Sequence, residues 1–484
     1  MSHKRNRLLI FLTLMVTLMI VALSLKNTDS GLAYQSSGHV IYLPIVSSAL
    51  VPTVFGVENT DFSTRSSVGM IIQAGTTWAR YNNLLWSDLQ PLETKPPDWK
   101  LLDPLKQLLS INKNKQVNVI LVIRNTPDWA QLYPGSTCGP MMQDKFPAFA
   151  QFLHDLVLQL SVPPYNVKYW EVDNEPDAQV RYANFDLPFG CWGEPGQPYY
   201  GGSYYGQMLQ QVYPAIKSAD PTAKVLIGGL LLDCDPDHPI YEGDQLKDCS
   251  SSRFLEGILA SNDGHGGDYF DVVSYHAYDY YNDLGDYSNF NWNASSFSTG
   301  PSSTLKDQFV RSVLEKYGYT DKLFINTETA LLCNRSDCAI TDGIVRNNYE
   351  NTKAYYVAVD FASAIVNKLT SRIWFDIDGV WRYSGLLYMK NPRPSYYAFK
   401  TAAAELGYAK YVKDVTQFPG IKGYQFTRDN RVIWFLWSGD GRSHTLHLPR
   451  VPVLAYDSLG NTLTPSQVMM VGINPNYLEW VGNP

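Results

Sequence analysis

The sequence predicts an α/β protein, a (β/α)8 barrel with long rim insertions, followed by a small C-terminal antiparallel β domain. Three observations predict it. From residue 52, short β-branched or aromatic runs alternate with helical patterns, the grammar of parallel βα units. The runs number eight, which suits a barrel closed around a filled interior. After residue 410, period-two runs are split by tight polar turns, the mark of antiparallel hairpins.

The chain begins with Lys4, Arg5 and Arg7, then an apolar run from Leu8 to Leu25, then polar residues, with Ala22-Leu23-Ser24 as a small-residue cleavage pattern. Residues 1–25 therefore read as an export signal or, uncleaved, as a membrane anchor. Residues 26–51 are polar and Ser-rich apart from His39–Val46, and read as a tether. The eight predicted strands are Thr53–Val57, Thr77–Tyr81, Asn118–Arg124, Val167–Val172, Lys224–Gly229, Phe270–Tyr275, Lys322–Asn326 and Arg372–Phe375.

Helical spacing lies between them. Leu101, Leu102, Leu105, Leu108 and Leu109 form one apolar stripe, and Phe149, Phe152, Leu153, Leu156 and Leu160 form another. Further helical patterns cover about Tyr204–Ser218, Thr304–Tyr317, Asn348–Lys368 and Ser395–Leu406. The insertions 178–203, 231–251 and 279–302 are rich in Gly, Pro, Tyr and Asp, and long rim loops of this kind form binding clefts. The barrel is thus expected over 52–408, and a β-sandwich-like domain over 409–484. In that domain, Gly423–Thr427 and Arg431–Trp437 flank a turn at Asp429-Asn430.

Composition narrows the partners. The 484 residues are 45% hydrophobic and 18% charged, which is a folded composition. A formal charge of −7 with no basic stripe argues against nucleic acid. The 33 Tyr and 12 Trp exceed what a core needs, and such rings suit stacking on sugars or other flat ligands. Six cysteines in an exported chain, with no Cys-x-x-Cys, favour disulfides over metal ligation. Local pairs are most economical, Cys234 with Cys249, Cys333 with Cys338 and Cys138 with Cys191, although the sequence leaves other pairings open.

The chemistry centres on Tyr169–Asp177, YWEVDNEPD, where an apolar run breaks into Asp, Asn, Glu and Pro. Glu175 therefore sits at the end of the fourth strand, on the rim where barrel enzymes collect their reactive groups. Lys322–Glu328 repeats the pattern on the seventh strand and ends on a second carboxylate. Two carboxylates facing each other across a barrel mouth are the requirement for acid–base and nucleophilic work on one bond.

This order of motifs resembles the clan A glycoside hydrolases, retaining (β/α)8 enzymes. Tyr169-Trp-Glu-Val-Asp-Asn-Glu-Pro176 is most similar to the strand-four motif of glycoside hydrolase family 39. The resemblance covers roughly 52–400 and includes Arg80, Thr126-Pro-Asp-Trp-Ala130, Ser274-Tyr-His-Ala-Tyr278 and Trp374. It implies a substrate that is an oligo- or polysaccharide or a glycoside, and no metal or organic cofactor.

The resemblance also assigns roles. Glu175 is the expected acid/base and Glu328 the nucleophile. Arg80 would hold Glu328 ionised, Asn174 would meet the sugar 2-hydroxyl, and His276 and Tyr278 would donate to Glu328 or to substrate. Trp374 is the expected sugar platform, with Trp129 and Trp192 as further candidates. Asp173 and Thr329 stand where the family usually has aromatic residues, so Asp173 is expected to help decide what binds. A disabled barrel that only binds carbohydrate, and a transglycosylase using the same glutamates, are the competing readings.

Overall fold

The computed structural model describes residues 51–484 apart from 59–64, 113–116, 137, 181–188, 239, 341–342 and 483, together with two short N-terminal strands. Those strands, Tyr34–Ser36 and His39–Ile41, pair antiparallel within the expected tether. The expected export segment at residues 1–25 lies outside the described residues.

All eight predicted runs form strands of one closed parallel barrel. They are β1 Phe55–Glu58, β2 Trp78–Leu85, β3 Asn118–Arg124, β4 Tyr169–Asn174, β5 Lys224–Gly229, β6 Val272–Asp283, β7 Leu323–Leu332 and β8 Ser371–Trp374. Each pairs with the next, and Arg372 opposite Phe55 closes β8 onto β1. The narrowest seam is β5 to β6, where Val272 stands opposite Leu226.

Eight helices follow the strands: α1 Arg65–Gln73, α2 Asp103–Asn112, α3 Phe146–Leu160, α4 Gly202–Ala219, α5 Phe254–Gly264, α6 Ser302–Lys316, α7 Ile344–Val366 and α8 Pro394–Leu406. The phenylalanine and leucine stripe of α3 and, of the expected leucine stripe, Leu102, Leu105, Leu108 and Leu109 are buried in one core with strand residues such as Leu121, Ile123, Val172 and Ile227, whereas Leu101, in the turn before α2, is exposed.

Strand alternation sets the barrel interior. Trp78, Ile120, Leu226, Val272, Ile325 and Ile373 pack together with Tyr169 and Leu323, one apolar layer filled from strands all round the ring. On β1 the inward position in this layer is Gly56, where any Cβ would meet Ile373 and Trp78. Two residues further along β1, β2 and β4, the same face carries Glu58, Arg80 and Glu171. The barrel therefore turns from dry to charged in one step towards its C-terminal mouth.

Five strands run past the predicted ends, β6 and β7 by the most. The pairing of β6 with β7 continues through His276 opposite Glu328 to Tyr280 opposite Leu332. Part of the insertion expected over 279–302 folds back as Asp286–Asn289, which pairs antiparallel with the end of β6.

The C-terminal strands are β9 Lys410–Asp414, β10 Ile421–Arg428, β11 Arg431–Ser438, β12 His444–His447, β13 Leu454–Asp457, β14 Val468–Val471 and β15 Asn476–Val481. Five make an antiparallel sheet in the order β9-β10-β11-β15-β13, and β12 pairs with β14. One face of the sheet, with Phe426, Ile433, Phe435 and Tyr477, shares a core with residues of α7 and α8. The other, with Trp434, Leu436, Leu478 and Trp480, packs on Leu446, Met469 and Val471. Because β11 is buried on both faces, its aromatic residues alternate only weakly with polar ones.

All three expected disulfides are present: Cys138–Cys191, Cys234–Cys249 and Cys333–Cys338. Among the described residues no helix is long and apolar enough to cross a membrane.

Candidate active site

Arg80 stands at the centre of the charged layer. Its Nε donates to Glu171 Oε2 at 2.7 Å, and its Nη2 donates to Glu171 Oε1 at 3.2 Å and to Asn174 Oδ1 at 2.6 Å. Its Nη1 donates to Glu58 Oε2 and to Glu328 Oε1, each at 2.6 Å. All five N–H donors of the guanidinium are used, so β1, β2, β4 and β7 are joined through one planar fork.

Glu175 leaves β4 through a strained turn. Asp173 and Glu175 both have left-handed φ, 69° and 50°, a region that non-glycine residues seldom adopt. The turn is fastened on several sides. Asp173 accepts from the Asn174 amide and from Trp192 Nε1, each at 2.8 Å. The Glu175 amide donates to the Gly229 carbonyl at 3.1 Å. Asp177 accepts from the Leu231 and Leu232 amides at 2.8 and 2.9 Å. Gly229 has a second purpose, since a Cβ there would lie 2.1 Å from His276 Nε2.

The two glutamates meet over His276. Its Nδ1 lies 2.7 Å from Glu175 Oε1 and 3.5 Å from Glu328 Oε2. A carboxyl oxygen of each glutamate and a nitrogen of His276 all fall within 4.8 Å of one another. Tyr278 donates its hydroxyl to Glu328 Oε2.

Environment separates the two carboxyls. Burial, then the charges of Glu328 and Asp177, push Glu175 well above the usual carboxylate range. Burial also raises Glu328, and Arg80 and the Tyr278 hydroxyl offset part of that rise. His276 is driven well below its ordinary value by burial and by the positive charges of Arg80 and Lys306. Its imidazole is therefore neutral, and Lys306 Nζ holds the strand at that point by donating to the His276 carbonyl at 2.9 Å.

Glu175, His276 and Glu328 are also the one trio among the described residues whose ligand atoms converge closely enough for an ion. Both oxygens of Glu328 are already engaged by Arg80 and Tyr278, and His276 Nδ1 by Glu175. A cation there would face the Arg80 guanidinium, so this donor set suits proton traffic better than metal ligation.

The expected aromatic platforms are placed otherwise. Trp374 is 0% exposed, donates Nε1 to the Ser384 carbonyl and packs edge-on to Tyr356, so it offers no face to a ligand. Strand alternation explains this, since Trp374 points outward and the next residue, Phe375, turns towards the mouth beside Tyr278. Trp381, 45% exposed, stands against both Tyr278 and Phe375.

Trp192 is buried on Asp173, and Trp129 is half-buried, packed edge-on to Trp86, with Nε1 on the Gln90 carbonyl. Asp173 and Thr329 both serve the scaffold, the first through Trp192 and the second through Asp360 at 3.0 Å. Asp173 is thus a fastening of the turn, and the expected part in ligand choice does not follow from its position.

Glu58, Glu171, Phe375 and Trp381 belong to the site, and sequence reasoning gave them no role. A signal existed for Glu171. It is a charged residue inside an apolar strand run, and such a residue is buried only with a partner.

No protein-family model matches the sequence, and no curated protein matches it. Solved structures do resemble it. A family 39 glycoside hydrolase from Bacteroides cellulosilyticus WH2 superposes with a TM-score of 0.63 at 17% identity, over 91% of this chain and 84% of that one. A GH30 endoxylanase from Clostridium papyrosolvens C71 gives 0.56 at 12% identity, over 90% and 97%. A GH39 β-xylosidase from Caulobacter crescentus gives 0.53 at 13%, over 90% and 97%. Over about nine-tenths of its length, this chain has the fold of the clan A glycoside hydrolases.

Proposed function

We propose that the protein is an exported retaining glycoside hydrolase that cleaves β-linked glycosides by double displacement, with Glu175 as acid/base and Glu328 as nucleophile. The observation that carries this reading is the approach of the two carboxyls to within 4.8 Å, one of them held by Arg80 and Tyr278 and the other raised well above the usual carboxylate range by burial and by the charge of its neighbour. Retaining glycosidases set their carboxyls about 5–5.5 Å apart, whereas inverting ones leave about 6.5–9.5 Å for a water.

In the first step a Glu328 oxygen attacks the anomeric carbon as the bond to the leaving oxygen breaks, and Glu175 gives its proton to that oxygen. Esterified Glu328 carries no charge. Burial still raises Glu175, but the Glu328 charge that added to it is gone, and Glu175 can take a proton from water. That water attacks the anomeric carbon, the ester bond breaks, and Glu328 returns to a carboxylate. Asn174, fixed by Arg80, faces the sugar 2-hydroxyl in this reading. Phe375 and Trp381 supply the apolar wall for the ring. Three disulfides and the basic, then apolar, N-terminus support export.

A panel of aryl glycosides and polysaccharides tests the proposal, with aryl xylosides included because two of the similar structures are a xylanase and a xylosidase. Glu175→Gln and Glu328→Gln should each abolish turnover of whatever the native chain cleaves. The first-formed product, followed by NMR, should keep the anomeric configuration. Hydrolysis by both variants, or an inverted product, would overturn the assignment. A product extended by an added sugar acceptor would mark a transglycosylase.

A further inference from the structure

The loop that follows β8 carries Trp381 to the cleft, and around Trp381 its own bonds are those of one tight turn, with the Tyr383 and Ser384 amides donating to the Val380 and Trp381 carbonyls at 3.3 and 3.0 Å. Val380 and Trp381 are exposed, and Arg382 and Tyr383 both have left-handed φ, 45° and 61°. Such a segment keeps one conformation only if the surroundings impose it.

The surroundings take four consecutive carbonyls. Arg382 O accepts from the Cys333 amide at 3.1 Å, and Ser384 O accepts from Trp374 Nε1 at 3.0 Å. Tyr383 O and Gly385 O both accept from Lys353 Nζ of α7, each at 2.8 Å. The Tyr349 hydroxyl, one turn earlier on α7, lies 2.8 Å from Leu331 O of β7 and 2.9 Å from Tyr383 O. Arg346, from the same helix, covers the Tyr383 ring at 4.3 Å.

Lys353 is fully buried, and beside the two carbonyls it pairs with Glu350, whose Oε2 lies 3.1 Å from Nζ. Glu350 also pairs with Arg346 at 3.0 Å and Arg393 at 3.4 Å. Burying a charged amine is unfavourable unless the groups around it take up its donors. An apolar side chain would fill the same space. It would not hold two carbonyls of one loop.

We propose that Lys353 is a positioning residue for the cleft: by taking the carbonyls of Tyr383 and Gly385 it holds the loop so that Trp381 stands beside Tyr278 and Phe375 as a preformed wall for the sugar ring. The proposal rests on the reading of this cleft as a glycosidase site. Tyr349 acts in the same direction, its one hydroxyl proton shared between the carbonyls of Tyr383 in the loop and Leu331 on β7.

The test uses the full chain with Lys353→Met and Trp381→Ala. Two readouts are taken: kcat and KM on a glycoside the native protein hydrolyses, and trypsin cleavage after Arg382, mapped by mass spectrometry. Both variants should raise KM roughly threefold to tenfold with kcat within about twofold, the range of a lost ring contact. Lys353→Met should also speed cleavage at Arg382. If that variant does not fold, Tyr349→Phe should show both effects in smaller measure.

Unchanged KM and unchanged cleavage in Lys353→Met, or in Tyr349→Phe where it stands in, would overturn the proposal, as would a fall in kcat at constant KM. An unchanged KM in Trp381→Ala would overturn it too, while leaving the two glutamates in place. Should Glu328→Gln remain active, the glycosidase reading falls instead, and the cleavage rate still decides whether Lys353 holds the loop.

Discussion

Tyr278→Phe removes one hydroxyl and little else, and its effect can be worked out in advance. The hydroxyl donates to Glu328 Oε2, and its own titration is pushed well above the ordinary tyrosine value by burial and by the charge of Glu328, so it stays a donor across the working range. Without it, Glu328 keeps Arg80 on Oε1, and Oε2 is left with His276 at 3.5 Å. A hydrogen bond to a charged group contributes about 1.5–3 kcal/mol, which corresponds to about one to two pH units at 1.36 kcal/mol per unit.

The sign follows from the group. The bond favours ionised Glu328, so losing it raises that carboxyl, and the acid limb of kcat/KM should move up by about one to two units. Below that limb the rate should fall about 10- to 100-fold, with a smaller change on the plateau. The alkaline limb, set by Glu175, should move less. A pH profile on a hydrolysed aryl glycoside reads this directly. An acid limb that stays where it was, whatever happens to the plateau, would refute the role given to Tyr278.

Two further outcomes concern stability. Cys138–Cys191 closes a separation of 53 residues and Cys333–Cys338 one of 5, so loop-closure entropy assigns about 4 and about 2 kcal/mol to them. Urea midpoints of the paired Cys→Ser variants should rank in that order, and equal losses would contradict it. Glu405 on α8 is pushed up to about 8 by burial and by the neighbouring Glu479 of β15. Its contribution is full below its unfolded value near 4.5 and is lost as pH rises through about 8, so Tm should decline from pH 5 to 8. Glu405→Gln should flatten the decline, and an unaltered slope would show that another group is responsible.

The barrel was legible because each strand is a short apolar run that ends where the chain becomes polar, and helical spacing fills the intervals. Glu175 and Glu328 were legible for the same reason, as polar breaks at the fourth and seventh ends. The partners of Arg80 were not. Glu58 and Glu171 lie 22 residues before and 91 after it, and only closure of the ring brings them to one guanidinium.

The aromatic wall escaped through alternation. Trp374 and Phe375 are adjacent, and which of them faces inward depends on registers that shift between β6, β7 and β8. Trp381 sits in a loop whose course is dictated by donors on α7 and β7, far away in sequence. The long ends of β6 and β7 were hidden as well, since Asp286–Asn289 supplies pairing that no local pattern announces.

The left-handed turn at Asp173 and Glu175 has a consequence for how such a chain would change under selection. Non-glycine residues held there cost of order 1–3 kcal/mol each, and a buried carboxyl at Glu175 adds to that. In the proposed glycosidase reading, activity and heat resistance thus oppose each other at this residue, and Glu175→Gly should melt higher than the native chain. A lower Tm would instead mean that the Glu175 bond to His276 outweighs the strain in which the residue is held.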